Sequence, residues 1–249
     1  SANAYYSLEI NGTGTFTAGV AITADNELNV LDGNLYLGTN ALIVGSTGVA
    51  NSGSIKVASG DTLNQAAAGT TTILGSASGA NCIGSTTGAS CGGTVGTVVF
   101  GNLTIGDAST AFTTTFGGTT PTTTIDGVLN ITASATLNAG TGSTLRMTSS
   151  GTPFTRSGTF TAGTATTTFE SVSGVSALSS AAMTGSNAFY NLKINGTGTF
   201  TAGVAVTANN ELKVRAGTLA MGTNALVVGS TSVTQSGSIK VASGQTFNS

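Results

Sequence analysis

The side chains in this sequence that could do acid–base chemistry are Asp25 and Glu27, two positions apart and therefore on one face of a strand. Asp32 and Asp61 follow them, and Asp107 and Asp126 stand beside glycines in the middle of the chain. Carboxylates along one face are a known route to polymer cleavage on β-helices, and Arg146 and Arg156 could hold an anionic sugar. Histidine is absent, which removes the commonest general base, so neither a Ser-His-Asp nor a Cys-His arrangement can be built. The carboxylates carry their own control, because residues 1–65 are written again at 185–249 with about seven positions in ten unchanged. Asp25 becomes Asn209, Asp32 becomes Ala216 and Asp61 becomes Gln245, while Glu27 is kept as Glu211. An acid that one copy lacks is not required by the unit. These acids therefore read as turn and surface residues, no catalytic residue is expected, and a polysaccharide-cleaving enzyme stands third among the functional readings.

Cys82 and Cys91 bracket the segment NCIGSTTGASC. Oxidised, they close a small loop whose entropy is worth about 2.5–3 kcal/mol. Two thiolates without histidine fall short of the usual four zinc ligands, so a disulfide is expected rather than a metal site or free thiols, and with it a compartment outside the cytoplasm. No calcium-binding Gly-Gly-x-Gly-x-Asp nonapeptide occurs, and Asn11-Gly12-Thr13-Gly14 has neither the lysine nor the helix of a phosphate loop. No cofactor is expected. Asn11, Asn102, Asn130 and Asn195 each open an Asn-x-Ser/Thr sequon and are possible glycosylation sites. Thr-x-Thr segments raise the idea of an ice-binding face, but their spacing along the chain is irregular.

The elements that must position these residues are strands. Charged residues are 6% of the 249, against about 25% in an ordinary globular domain, while hydrophobic residues are 39% and alternate with polar ones. Within the repeat, Ala4, Tyr6, Leu8 and Ile10 are kept, whereas Tyr5, Ser7 and Glu9 become Phe189, Asn191 and Lys193. Leu28 and Val30 are likewise kept while Asn29 and Leu31 change. That period of two marks a strand with one face packed. Glycine-terminated words holding strands of about three to six residues run through the whole chain, which predicts an all-β parallel β-solenoid over residues 1–249, with coils of about 15–25 residues stacked into a rod about 60 Å long. The alternative is a tandem pair of antiparallel β-sandwiches, with Asn11-Gly12 and Asn195-Gly196 as hairpin turns.

Nine acidic and seven basic residues are scattered singly, so nucleic acid is not an expected partner. No run approaches the roughly 20 apolar residues of a membrane span. Aromatic girdles for a membrane barrel are hard to assemble from ten Phe and four Tyr with no Trp.

Phrases such as FYNLKINGTGTFTAG and FGNLTIG, followed by NELKV and TNALVVG, resemble the repeats of large secreted bacterial and archaeal surface proteins, adhesin-like β-solenoids and extracellular filament subunits. The resemblance is compositional and carries no catalytic residues. It implies a right-handed parallel β-solenoid, export to the cell surface and a structural or adhesive role. Such proteins are often much longer and carry an anchoring domain. The first and last segments are copies of each other and look uncapped, so the expected partner is the chain itself, added head to tail into a filament. Tyr5, Tyr6 and Leu8 at one end and Ile239, Val241 and Phe247 at the other are the candidate interface. The second reading is a binding module that recognises glycans or cell surfaces through Tyr5, Tyr36 and nearby Asn and Asp side chains.

Overall fold

The structure is a computed structural model that describes residues 4–77, 80–84, 91, 95–118, 121–170, 175–178 and 181–249. Among the described residues the regular elements are strands and one 3-10 turn, Gly185–Asn187, and every strand pairing is parallel. This is the parallel β-solenoid. The sandwich alternative fails at its hairpin turns: Asn11 and Gly12 lie inside the strand Ala4–Thr17, and Asn195 and Gly196 inside Phe189–Ala202. Each is a bend between successive parallel segments, marked by a shift of register.

The pairings sort into three ladders. The first begins at 4–5 and 22–24 and runs through Leu42–Val44, Thr70–Ile73, Asn102–Ile105, Leu129–Ile131, Gly151–Arg156 and Val175–Leu178, then 199–202, 218–220 and Thr246–Asn248. The second begins at 7–10 and 27–30 and runs through Ser54–Val57, Ala80–Ile83, Phe112–Phe116, Ala135–Asn138 and Thr159–Thr161. There the 3-10 turn stands in for a strand, Asn187 accepting the Phe160 amide through Oδ1, before 206–208 and Leu226–Val228 complete the ladder. The third begins at 15–17 and 34–36 and ends at 191–194, 211–214 and Ser238–Val241.

Coils run from 19 residues, where Ala4 lies against Thr23, to 35, where Leu63 lies against Val98. Many fall within the expected 15–25, and the longer ones exceed it because loops are inserted at the bends. About ten coils at the roughly 4.8 Å interstrand spacing make a rod near 50 Å long.

One apolar core extends from Ile10 to Met221. Alternation places Leu28, Val30, Leu212 and Val214 inside it, all fully buried, as the repeat predicted. The first strand departs from the predicted face. Phe189, assigned outward with Tyr5, is fully buried against Phe154, Phe160 and Phe169, whereas Tyr6 is exposed and Tyr190 half-buried. The register break between Phe189 and Asn191 explains this: two steps on one strand meet three on its neighbour, and the alternation resets across the bulge.

Where bends stack directly on bends, backbone space is the limit. Gly33 has φ +91°, and a Cβ there would lie 2.1 Å from the Gly12 carbonyl oxygen. Gly217, its copy, has φ +80° and would meet the Gly196 oxygen at 2.2 Å. Only glycine fits this conformation and this clearance.

Candidate functional site

The carboxylates staple coils and turns. Glu27 accepts Lys56 Nζ at 2.7 Å from the next coil and Asn29 Nδ2 at 2.9 Å. Burial pushes its pKa up, but the Lys56 and Asn29 hydrogen bonds and the Lys56 charge outweigh that, and the net shift is downward. Glu211 repeats the arrangement with Lys240 and, at 3.0 Å, Lys213, and the Lys240 hydrogen bond leads in lowering its pKa. Asp61 accepts the Gly33 amide at 2.8 Å, and Gln245 accepts the Gly217 amide in the other copy. A neutral amide therefore performs the same task as the acid. Asp107 accepts the amides of Ser109 and Thr110, which lower its pKa, in an exposed turn. Asp126 accepts Thr148 Oγ1 at 2.7 Å.

The arginines are engaged as well. Arg146 pairs with Glu170, whose other oxygen accepts Asn195 Nδ2. Arg156 is buried, and donates to the carbonyl oxygens of Gly158 and Ala182 and to Met183 Sδ. Among the described residues no three His, Cys, Asp or Glu side chains gather as metal ligands would, and no helix is long and apolar enough to cross a membrane.

Cys82 and Cys91 are joined, with Cα atoms 5.4 Å apart. The bond ties the second-ladder strand Ala80–Ile83 to the turn residue Cys91; residues 85–90 and 92–94 lie outside the described residues. Of the four sequons, Asn11 is exposed, its amide donating to Glu9. Asn102 is tied into the backbone on both sides, donating to the Gly69 oxygen and accepting the Val128 amide. Asn130 accepts Thr155 Oγ1, and Asn195 donates to Glu170. Tyr36 is exposed on the third ladder beside Asn64.

The two outer coils differ most from ordinary surface. Several of their apolar residues occupy inward positions, and the repeat supplies these with covered counterparts. Phe16 is 42% exposed and Phe200 5%; Tyr5 is 50% exposed and Phe189 0%. Ile239 and Val241 are 48% and 43% exposed, whereas Ile55 and Val57 are fully buried. Phe247 and Val228 are half-buried where Leu63 and Val44 are fully buried. Leu8 and Ile10 complete the first face and Leu226 the last.

Of the residues singled out from sequence, Tyr5 and Leu8 belong to the first face and Ile239, Val241 and Phe247 to the last. Tyr6 lies beside the first face, because the bulge turns it outward. Sequence reasoning missed Phe16. It lies in the run from Asn11 to Ala21 that is identical in both copies, where no substitution separates the two faces; the alternation of Thr15, Phe16 and Thr17 was the available signal.

The copies also occupy different ladders. Residues 7–10 lie in the second ladder and their counterparts 191–194 in the third; 15–17 lie in the third and 199–202 in the first. Residues 54–57 and 238–241 differ in the same way. The second copy is thus turned by one ladder about the rod axis, with its internal pairings unchanged. Leu8 pairs with Leu28 and Phe16 with Leu35, as Leu192 does with Leu212 and Phe200 with Leu219.

In comparisons with known proteins the chain matches no protein-family model, no curated protein and no solved structure.

Proposed function

We propose that this chain is a structural unit of an extracellular fibre, lengthened by coil-on-coil addition of further copies at its two open strand edges. The observation that carries this reading is the paired exposure at the ends. Phe189, Ile55 and Val57 are fully buried, whereas Tyr5, Ile239 and Val241, their counterparts in the other copy, are 50%, 48% and 43% exposed where no coil of these 249 residues covers them. Apolar inward-facing residues with unpaired strand edges recruit strands. Because the first and last faces differ, the contact is heterologous and does not close, so it grows into a fibre.

The use of Glu27, Asp61, Asp126, Glu170 and Glu211, with Arg146 and Arg156, in joining coils supports a structural over a catalytic role. The disulfide supports an oxidising compartment, outside the cytoplasm. Negative-stain electron microscopy and sedimentation velocity on the purified chain, over a concentration series, test the proposal. Unbranched rods that lengthen with concentration are expected. Dispersed monomers at every concentration would refute it.

A further inference from the structure

The way the second copy sits on the coil beneath it specifies the joint between two molecules. Residues 185–249 follow Val175–Leu178, a first-ladder strand, and the copy starts in the second ladder, with 191–194 on the third-ladder strand Thr166–Phe169. The last strand of the chain, Thr246–Asn248, also lies in the first ladder. We propose, resting on the fibre reading above, that a second copy docks on this edge turned by one ladder. Residues 4–5 then lie over Leu226–Val228, 7–10 over Ser238–Val241 and 15–17 over Thr246–Asn248.

Three observations favour this register. Strand lengths match: four residues, 7–10, meet the four of Ser238–Val241, and three meet the three of Thr246–Asn248. Without the turn, four residues would face the three of Leu226–Val228, the looser fit that Leu42–Val44 makes with Thr70–Ile73 inside the chain. Inward positions also meet inward positions, with Leu8 on Ile239, Ile10 on Val241, Phe16 on Phe247 and Tyr5 on Val228. Finally, the outward residues are complementary. Glu9 falls opposite Lys240, whose side chain is 60% exposed although it already touches Glu211. Without the turn Glu9 would face the exposed Val227.

The resulting fibre advances by about ten coils, near 50 Å, per molecule. Each molecule is turned by about a third of a revolution, in addition to the intrinsic twist of the ladders.

Engineered cysteines distinguish the registers, since adjacent strands place facing Cα atoms within disulfide range. Under mild oxidation E9C/K240C is expected to give a ladder of covalent oligomers on a non-reducing gel, while E9C/V227C gives none. Charge reversal is the second arm: E9K raises the concentration needed for fibres by up to about fivefold, the most an exposed pair supports, and adding K240E restores part of it, since K240E also removes the contact with Glu211. Fibres that cross-link through position 227, or through neither pair, or that ignore the charge swap, overturn the register while leaving the fibre reading intact. Wild-type protein that forms no fibres overturns both.

Discussion

Phe189 and Tyr5 hold the same place in the repeat, one beneath a complete coil and one at an open edge, so truncating each to alanine isolates the value of the covering coil. Phe189 is fully buried, with ring centroids of Phe160, Phe169 and Phe154 at 5.7, 6.2 and 6.3 Å. Removing a buried phenylalanine costs about 3–5 kcal/mol, through lost transfer free energy and the cavity left behind. The loss of three aromatic contacts places Phe189→Ala near 4 kcal/mol. Tyr5 is half exposed and leaves no enclosed cavity, so half of the roughly 1.5–3 kcal/mol of full burial, about 1 kcal/mol, bounds Tyr5→Ala.

A solenoid opens locally, so a single unfolding midpoint would mix the two effects, and hydrogen exchange read by mass spectrometry is the suitable assay. At concentrations below fibre formation, Phe189→Ala is expected to lower protection about a thousandfold in Thr166–Phe169 and Phe189–Ala202. Tyr5→Ala lowers it about fivefold in Ala4–Thr17 alone. Equal losses at the two positions would refute the claim that the covering coil, and not the residue, sets the energy. Within fibres the Tyr5→Ala effect should grow toward that of Phe189→Ala.

Replacing Cys82 and Cys91 by serine should cost about 2.5–3 kcal/mol of loop entropy, and hydrogen exchange should show the loss confined to coils adjoining Ala80–Ile83. Asp61→Gln should leave stability within about 0.5 kcal/mol, because Gln245 already accepts the equivalent glycine amide. Asp61→Ala, which orphans the Gly33 amide, should cost about 1 kcal/mol in denaturant unfolding. The carboxylates of Glu27, Glu170 and Glu211 all titrate below their ordinary range. Their stabilisation is therefore fully present above about pH 4.5 and is lost as pH falls through the depressed folded values. Thermal melts from pH 6 to 2 should show this as a modest decline that Glu27→Gln and Glu211→Gln reduce, since these partly exposed pairs are screened by solvent.

The parity of the strand around Leu28 was legible because the two copies disagree on its outward face, although packed positions such as Leu37, which becomes Met221, change as well. Leu28 and Val30 were assigned that way and are buried. Phe189 escaped the method, since a bulge breaks the period of two and no residue type announces it. Coil length was obscured by loops such as 45–53, which lengthen a bend without altering a ladder. The terminal apolar residues were visible in sequence as a candidate interface. Their inward direction, and the placement of Glu9 and Lys240 at facing edges, depend on which ladder each occupies. That follows from counting strands through the unrepeated middle, where no second copy marks them.

The one-ladder turn between the copies also explains how a segment of 65 residues can recur where it does without rebuilding its surroundings. Inside a copy, every pairing is set by the order of its own strands, so Leu8 meets Leu28 and Leu192 meets Leu212 whichever ladder they occupy. The ladder matters only at the seam, where 191–194 must find an alternating strand beneath it. Thr166–Phe169 meets that need with Thr167 and Phe169 turned inward and buried. A seam that asks only for alternation and matched strand length is met equally well by Ser238–Val241. The property that lets the repeat follow an unrelated stretch of the same chain is thus the one that the proposed joint would use to follow the far end of another.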